Sequence, residues 1–217
     1  MIKYSYIMCL FLISGCDLNN TSRKSDFFAK SYKKQISSGD INKNEVQYFD
    51  KINRVYSNFK YGISYKEERG WDIDYGVGQY TIYRAIQNDS TCTFSINVIE
   101  LDQHLGKEFN LHDVIDQLGE ESYKAKLASN HLKLANTQIL NSSVKKVYFR
   151  NYPALKTTLK TNSREEDYEI GFTDITYQLY RNNATITCNL SVPSFFYHEN
   201  KESFDRIFHS INLLNIN

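Results

Sequence analysis

The chain lacks a net charge of either sign. Lysine and arginine total 26 and aspartate and glutamate total 25 over 217 residues. Lys3 lies in a segment that we expect to be removed, so the mature chain is formally neutral. Nucleic-acid binding depends on neutralising phosphates with basic residues, so this balance argues against a nucleic-acid partner. Proline is scarce, with two residues, whereas 17 tyrosines and 13 phenylalanines favour β-strands and supply a core.

Complete catalytic and cofactor-binding motifs are also missing. The sequence has no HExxH helix, no paired-cysteine zinc spacing, no EF-hand loop and no phosphate-binding loop. Four residues at four-residue spacing would align on one helix face: His104, Glu108, His112 and Asp116. Asn110 is a good helix cap, however, and favours a helix that starts too late to align them. Asp72 and Asp74 share a strand face that we expect to be solvated. We therefore expect no catalytic residue, no metal and no cofactor.

Long apolar runs are absent as well. The longest stretch, Ile7–Ile13, reads IMCLFLI and follows Lys3. About seven residues are far fewer than the roughly 20 that a membrane-spanning helix needs. A basic residue followed by a short apolar segment and small residues is typical of a signal peptide. We expect residues 1–15 to be such a signal and to take no part in the fold.

The end of this segment, Ile13-Ser14-Gly15-Cys16, resembles the bacterial lipobox. The resemblance implies that Cys16 becomes the mature N-terminus and carries acyl chains, each buried methylene contributing ~0.8 kcal/mol of anchoring in the bilayer. The alternative is an ordinary secretory signal in which Cys16 is incidental. Asp17 resembles the signal that retains lipoproteins in the inner membrane. We expect a lipid-anchored protein on the periplasmic side of the cell membrane.

Residues 16–45 are polar and predict a tether, followed by one domain over residues 46–217. From residue 59 onward, apolar residues alternate in the manner of strands. Cys92, Phe94, Ile96 and Val98, for example, fall on one face. Further strands are expected at 144–149, 154–159, 168–180 and 185–192, with a hairpin turn at Asn182-Asn183 because asparagine tolerates positive φ. Pro193 is expected to end the last of these strands.

Two helical regions interrupt and close this pattern. The first has an apolar stripe, Leu111, Val114, Ile115 and Leu118, with Asn110 as cap and Gly119 as terminator. A second piece containing Tyr123 and Leu127 is expected to follow it. The last helix has Phe204, Ile207, Phe208 and Ile211 at helical spacing. This order predicts an α+β fold in which an antiparallel β-sheet packs against helices.

Three local features resemble the PsbP-like fold and, within it, the DcrB-type periplasmic lipoproteins. They are Tyr61-Gly62-Ile63-Ser64-Tyr65 leading to Trp71, Asn151-Tyr152-Pro153-Ala154-Leu155 opening a strand, and the closing run from Phe204 to Ile211. Lys66 stands where proline is common in these proteins. The resemblance covers about residues 58–215 and implies an α/β/α sandwich. It implies no shared reaction, and no catalytic residue is carried over.

Two cysteines remain in the domain once Cys9 and Cys16 are set aside. Cys92 shares its strand face with Phe94 and Ile96, and Cys188 shares its face with Ile186 and Leu190, so both sulfurs are expected in the core. An oxidising compartment favours a disulfide if the two strands are neighbours. The alternative is a pair of buried thiols. We expect the disulfide.

Three functional hypotheses follow. The leading one is a non-catalytic module that holds a protein partner in the cell envelope, because the many tyrosines suit an interface. Tyr80 and Tyr83 are candidate contacts, since they point to opposite faces of one strand and a single core can bury only one of them. A finer version is an immunity lipoprotein that neutralises a periplasmic toxin. The third hypothesis is a metal-dependent hydrolase that uses His104, His112 or the Asp72–Asp74 pair.

Overall fold

The structure, a computed structural model, describes residues 47–74, 80–87, 92–101, 109–131, 137–165 and 168–214. These residues form strands β1 Gln47–Asp50, β2 Val55–Asn58, β3 Ile63–Lys66, β4 Trp71–Asp74, β5 Thr81–Gln87, β6 Thr93–Glu100, β7 Thr137–Phe149, β8 Tyr152–Glu165, β9 Tyr168–Arg181, β10 Ala184–Pro193 and β11 Ile211–Leu213. The helices are α1 Leu111–Leu118, α2 Glu120–His131 and α3 Ser194–His209.

The strands form two antiparallel sheets. The larger has seven strands in the order β4-β5-β6-β10-β9-β8-β7, and the smaller has four in the order β1-β2-β3-β11. Strand β11 therefore joins the small sheet from the far end of the described chain. The predicted α+β class, an antiparallel sheet packed against helices, is confirmed.

One face of the seven-stranded sheet, here called the inner face, carries the main core. Phe94, Ile175 and Leu190 are almost fully buried there. The small sheet adds Tyr56 and Tyr65 to the same core, and α3 adds a further apolar stripe of Phe204, Ile207 and Phe208. The inner face is thus covered by both a sheet and a helix.

The opposite, outer face has a second and smaller core beneath α1 and α2. Leu111, Val114 and Ile115 of α1 are buried with Tyr123 of α2, against Val144 and Leu155 of the sheet. Asn110 caps α1 as predicted, its side-chain oxygen accepting a hydrogen bond of 2.8 Å from the backbone N–H of His112. Gly119 ends the helix with a φ of 78°, a conformation that favours glycine.

Two tight turns have positive φ at both central residues. Asn182 and Asn183, with φ of 50° and 57°, join β9 to β10 as the sequence predicts. Arg150 and Asn151, with φ of 50° and 69°, join β7 to β8. Such turns match the twist of the strands that they connect. The four long strands β7 to β10 consequently form a continuous antiparallel meander.

The predicted bond between Cys92 and Cys188 is wrong: both residues are buried, and the structure does not join them. They lie on neighbouring strands and on the same face, as the prediction required. However, Cys188 is opposite Ile96, four residues from Cys92 along β6. Four residues of strand span about 13 Å, whereas bridged cysteines have Cα atoms about 4.4–6.8 Å apart. Register therefore keeps the two sulfurs apart.

One smaller prediction also needs correction. Ile211 lies in β11 rather than at the end of the last helix, although it is buried as expected. On β5 the residues that enter the main core are Tyr83 and Ala85.

The predicted signal segment, Cys16, Asp17 and the tether lie outside the described residues. Among the described helices, none combines the length and apolar character that crossing a membrane requires.

Candidate functional site

Aromatic residues lie near the end of β6, where the β2–β3 turn contacts Glu100 and the backbone of Tyr80 contacts Val98. Phe59 and Tyr61 belong to the turn between β2 and β3, and Tyr80 immediately precedes β5. Phe59 is 51% exposed and Tyr80 is 46% exposed, which marks them as surface groups despite their size. We call Phe59, Lys60, Tyr61, Tyr80 and Glu100 the aromatic rim.

Glu100, the last residue of β6, lies at the centre of the rim. Its carboxylate forms an ion pair with the ammonium group of Lys60 and accepts a hydrogen bond of 2.9 Å from the hydroxyl of Tyr61. The Lys60 ammonium also lies 5.3 Å from the centre of the Tyr61 ring, within the range of a cation–π contact. These contacts fasten the β2–β3 turn of the small sheet to a strand of the large one.

The protonation states of these groups follow from the contacts. The hydrogen bond from Lys60 holds the pKa of the Glu100 carboxyl below its usual value of 4.5. The same contact raises the pKa of Lys60. Burial, with help from Glu100, raises the pKa of the Tyr61 hydroxyl. At neutral pH the rim therefore has one cation, one anion and a protonated tyrosine, with no net charge.

Tyr80 is placed outward by an irregularity in β5. The register with β6 shifts between Thr81 and Tyr83, so a β-bulge lies just after Tyr80. The backbone carbonyl of Tyr80 still accepts a hydrogen bond of 2.8 Å from the N–H of Val98, which holds the residue on the end of the sheet. Tyr83 is fully buried, so the prediction that only one of these two tyrosines enters the core is confirmed.

Behind the rim, three buried tyrosines pack on one another. The Tyr83 ring lies 5.1 Å from that of Tyr56 and 5.0 Å from that of Tyr65. The Tyr56 hydroxyl donates to the backbone carbonyl of Ile82 at 3.0 Å, which links the two sheets. A rigid aromatic layer therefore supports the exposed surface.

A buried carboxylate, Glu67, is part of this layer and was not singled out by the sequence. The sequence places it in a turn, Glu67-Glu68-Arg69-Gly70, and a turn residue is expected to be solvated. In the structure its side chain is 1% exposed. It accepts a hydrogen bond of 3.2 Å from the Tyr83 hydroxyl and one of 3.4 Å from Arg54. Because the carboxylate is enclosed, a substrate has no access to it, and we assign it a structural role.

Of the four residues considered for a metal, the two that the structure describes, His112 and Asp116, have other partners. His104 and Glu108 lie outside the described residues. The His112 Nε2 atom lies 2.9 Å and 3.0 Å from the carbonyl oxygens of Val147 and Ala154. Carbonyl oxygens only accept, so Nε2 carries the hydrogen and serves as a donor. Asp116 instead pairs with Lys146.

The second proposed pair, Asp72 and Asp74, lies on β4, where Asp72 is exposed and the side chain of Asp74 is not described. The backbone register places Asp74 opposite Arg84 and Asp72 opposite Ile86. Over the described part of the chain, no group of three histidine, cysteine, aspartate or glutamate side chains is arranged to hold a metal.

Comparison with known proteins finds similar folds. No protein-family profile matches the chain, and no curated protein matches it. Cyanobacterial PsbP from Synechocystis sp. PCC 6803 is 17% identical over 73% of this chain and 91% of its own, with a TM-score of 0.48. LpqN of Mycobacterium tuberculosis, described as involved in cell envelope biogenesis, is 10% identical over 70% of this chain and 83% of its own, with a TM-score of 0.45.

The yeast Ran-binding protein Mog1p is 6% identical over 71% of this chain and 91% of its own, with a TM-score of 0.40. These three likenesses concern the fold alone.

Proposed function

We propose that this chain is a lipid-anchored protein of the bacterial envelope whose domain binds a partner protein through the aromatic rim. The observation that carries the proposal is the combination of exposed Phe59 and Tyr80 with the fixed Lys60–Tyr61–Glu100 contacts. Aromatic side chains supply large contact areas with few rotatable bonds. A polar network at their centre fixes the orientation of a partner.

The electrostatics of the rim favour a protein over other occupants. Its single cation and single anion already pair with each other, so the rim has no surplus charge for a polyanion. Its two exposed rings, Phe59 and Tyr80, lose contact with water on binding. An interface of aromatic anchors surrounded by polar groups is the arrangement that protein partners use.

Photo-crosslinking tests the rim directly in cells. Replacing Phe59 or Tyr80 by a photo-reactive phenylalanine keeps an aromatic ring at the position. We expect discrete higher-mass adducts from both sites after irradiation, and the same adducts when chelator is present, because no metal takes part. Phe195, 68% exposed on α3, is the matched control and is expected to give none of these adducts. The same adducts at all three positions, or the loss of adducts when chelator is present, would contradict the proposal.

The anchor is tested separately, since it is proposed from the Ile13-Ser14-Gly15-Cys16 string. We expect Cys16→Ser to leave an uncleaved precursor or to release the protein from membranes in fractionation. Because of Asp17, we expect the protein that retains Cys16 to be found in the inner-membrane fraction. Normal maturation and membrane retention of the Cys16→Ser protein would contradict the lipoprotein assignment without affecting the rim.

The immunity version of this function is a narrower hypothesis within the same class. It requires the partner to be a toxin that acts in the periplasm. A secreted-toxin gene directly upstream, and protection of cells that express the chain from that toxin, would support it.

A further inference from the structure

Strand β7 forms one edge of the seven-stranded sheet. All of its register partners lie on β8, and no other described strand pairs with it. The strand has 13 residues, which corresponds to about 40 Å of backbone. An added strand of five or six residues, the common length in proteins, spans about 17–20 Å and would fit along it about twice. Among the described residues, the backbone groups of β7 that face away from β8 therefore pair with no other strand.

Basic residues are concentrated in the β7–β8 hairpin, two of them on β7 itself, although the whole chain is balanced. The β7–β8 hairpin, residues 137–165, contains one acidic residue, Glu165, and six basic ones: Lys145, Lys146, Arg150, Lys156, Lys160 and Arg164. Since the chain has 26 basic and 25 acidic residues, the remainder has 20 basic and 24 acidic ones. The formal neutrality of the sequence therefore conceals a basic edge.

Two of these lysines lie directly opposite each other. Lys145 of β7 is the register partner of Lys156 of β8, and both project from the inner face. Like charges at opposite positions of a strand pair destabilise it. Lys156 is half-buried, and its ammonium lies 5.1 Å from the Tyr177 ring centre. Burial lowers the pKa of Lys156, but contact with Tyr177 and the nearby Asp205 outweigh it, so the pKa is raised and the charge is kept.

The outer face of the same edge has a different character. The Lys146 ammonium already forms an ion pair with Asp116, so we do not expect it to bind a further anion. Tyr148 follows on the same face, is 72% exposed, and contacts the His112 ring with its edge. Because side chains of a strand alternate between faces, a strand added to β7 would meet ammonium groups on one face and an exposed ring on the other.

We propose that the edge of β7 that faces away from β8 binds an extended acidic segment of a partner protein. This segment adds to the sheet as an eighth strand. Its acidic residues lie on the inner face beside Lys145 and Lys156, and its apolar residues lie on the outer face beside Tyr148. Main-chain hydrogen bonds supply affinity in this mode, and the alternating side chains supply specificity. The surface is separate from the aromatic rim, so either site can function without the other.

The test uses the full chain in detergent and a fluorescein-labelled seven-residue peptide of alternating valine and glutamate. Fluorescence anisotropy is expected to show saturable binding. Replacing the central valine by proline, which cannot donate to the ladder, or replacing every glutamate by lysine, is expected to abolish it. Equal binding of the proline peptide would mean charge capture alone and would overturn strand addition. So would a failure of the glutamate peptide to bind at millimolar concentration.

Matched protein variants locate the site. Lys145→Glu is expected to weaken peptide binding about tenfold, in the range found for charges across an interface. Lys51→Glu, an equal charge change at an exposed residue of the β1–β2 turn, is expected to leave binding unchanged. Tyr80→Ala, which removes an exposed ring of the aromatic rim, is expected to leave peptide binding unchanged. Equal loss in Lys145→Glu and Lys51→Glu, or loss in Tyr80→Ala, would overturn the assignment to β7.

Discussion

The two faces of the seven-stranded sheet are stabilised in different ways. The inner face is aromatic and is covered by a second sheet and by α3. The outer face has a small core under α1 and α2. Beyond that core it has a row of polar residues in register: Thr157, Thr176, Asn189 and Ser95. Thr176 and Asn189 are hydrogen-bonded to each other at 2.7 Å. Buried apolar area is thus concentrated on one face, and we expect global stability to depend mainly on it.

Phe94→Ala tests the inner face and should have the largest effect. Phe94 is fully buried and contacts the rings of Tyr65, Tyr83 and Phe208. Truncation of such a residue leaves a cavity and lowers the free energy of unfolding by about 3–5 kcal/mol. Urea denaturation followed by circular dichroism measures this. A loss of unfolding free energy no greater than that caused by Leu111→Ala on the outer face would contradict the comparison.

Leu111→Ala makes the equivalent change on the outer face. Leu111 is 2% exposed, but it lies at the start of an eight-residue helix near the sheet margin, where neighbours can relax into the space. We expect a loss of about 2 kcal/mol, at the low end of the range for such truncations. Hydrogen exchange should show increased exchange in α1 and α2 while β6 and β10 stay protected. Equal acceleration in β10 would show that the two cores unfold as one unit.

The two cysteines provide a chemical test of how tightly the inner face is closed, because both lie on that face. Burial raises the pKa of the Cys188 thiol to about 12, so its reactive thiolate is scarce at neutral pH. We expect neither Cys92 nor Cys188 to be alkylated by iodoacetamide in the native protein. Both should be alkylated after denaturation without any reductant, as intact mass and peptide mapping would show. Alkylation that requires prior reduction would restore the disulfide hypothesis.

The smallest expected effect is at the rim. Glu100→Gln removes a carboxylate whose pKa is lowered by Lys60, so its contribution is present above pH 4.5 and is lost as pH falls through the lowered value. The pair is exposed and is therefore worth about 0.5 kcal/mol or less. Unfolding free energies of the variant and the unmodified protein should differ slightly at pH 7 and converge as pH falls through the lowered pKa of Glu100. A difference of the same size once the carboxyl is protonated would contradict an electrostatic origin.

Local signals in the sequence predicted the local structure well. The cap at Asn110, the stop at Gly119 and the turn at Asn182-Asn183 depend on neighbouring residues alone. The apolar alternation of Cys92, Phe94, Ile96 and Val98 likewise marked a strand whose one face is buried. These features were recovered because the physical cause of each lies within a few residues.

Features that depend on long-range pairing were not predicted. Strands β1 and β2 have only four residues each, too few for a periodic pattern to be recognised. The cysteine faces were predicted correctly, but only the register of β6 with β10 shows the separation of the sulfurs. The rim was anticipated through Tyr80 alone, because the Glu100–Tyr61 contact joins residues 39 positions apart. The basic edge was missed because net charge averages over the chain.

The position of β11 has a consequence for the timing of folding. The small sheet pairs Ile63–Lys66 with Ile211–Leu213, which is synthesised much later. Arg181 donates to the backbone carbonyls of Gly62 and Leu214 and so adds to this junction. A ribosome that has released only part of the chain therefore holds a polypeptide whose small sheet still lacks β11. Closure of the small sheet must follow release of β11, and apolar surface that is exposed until then favours aggregation.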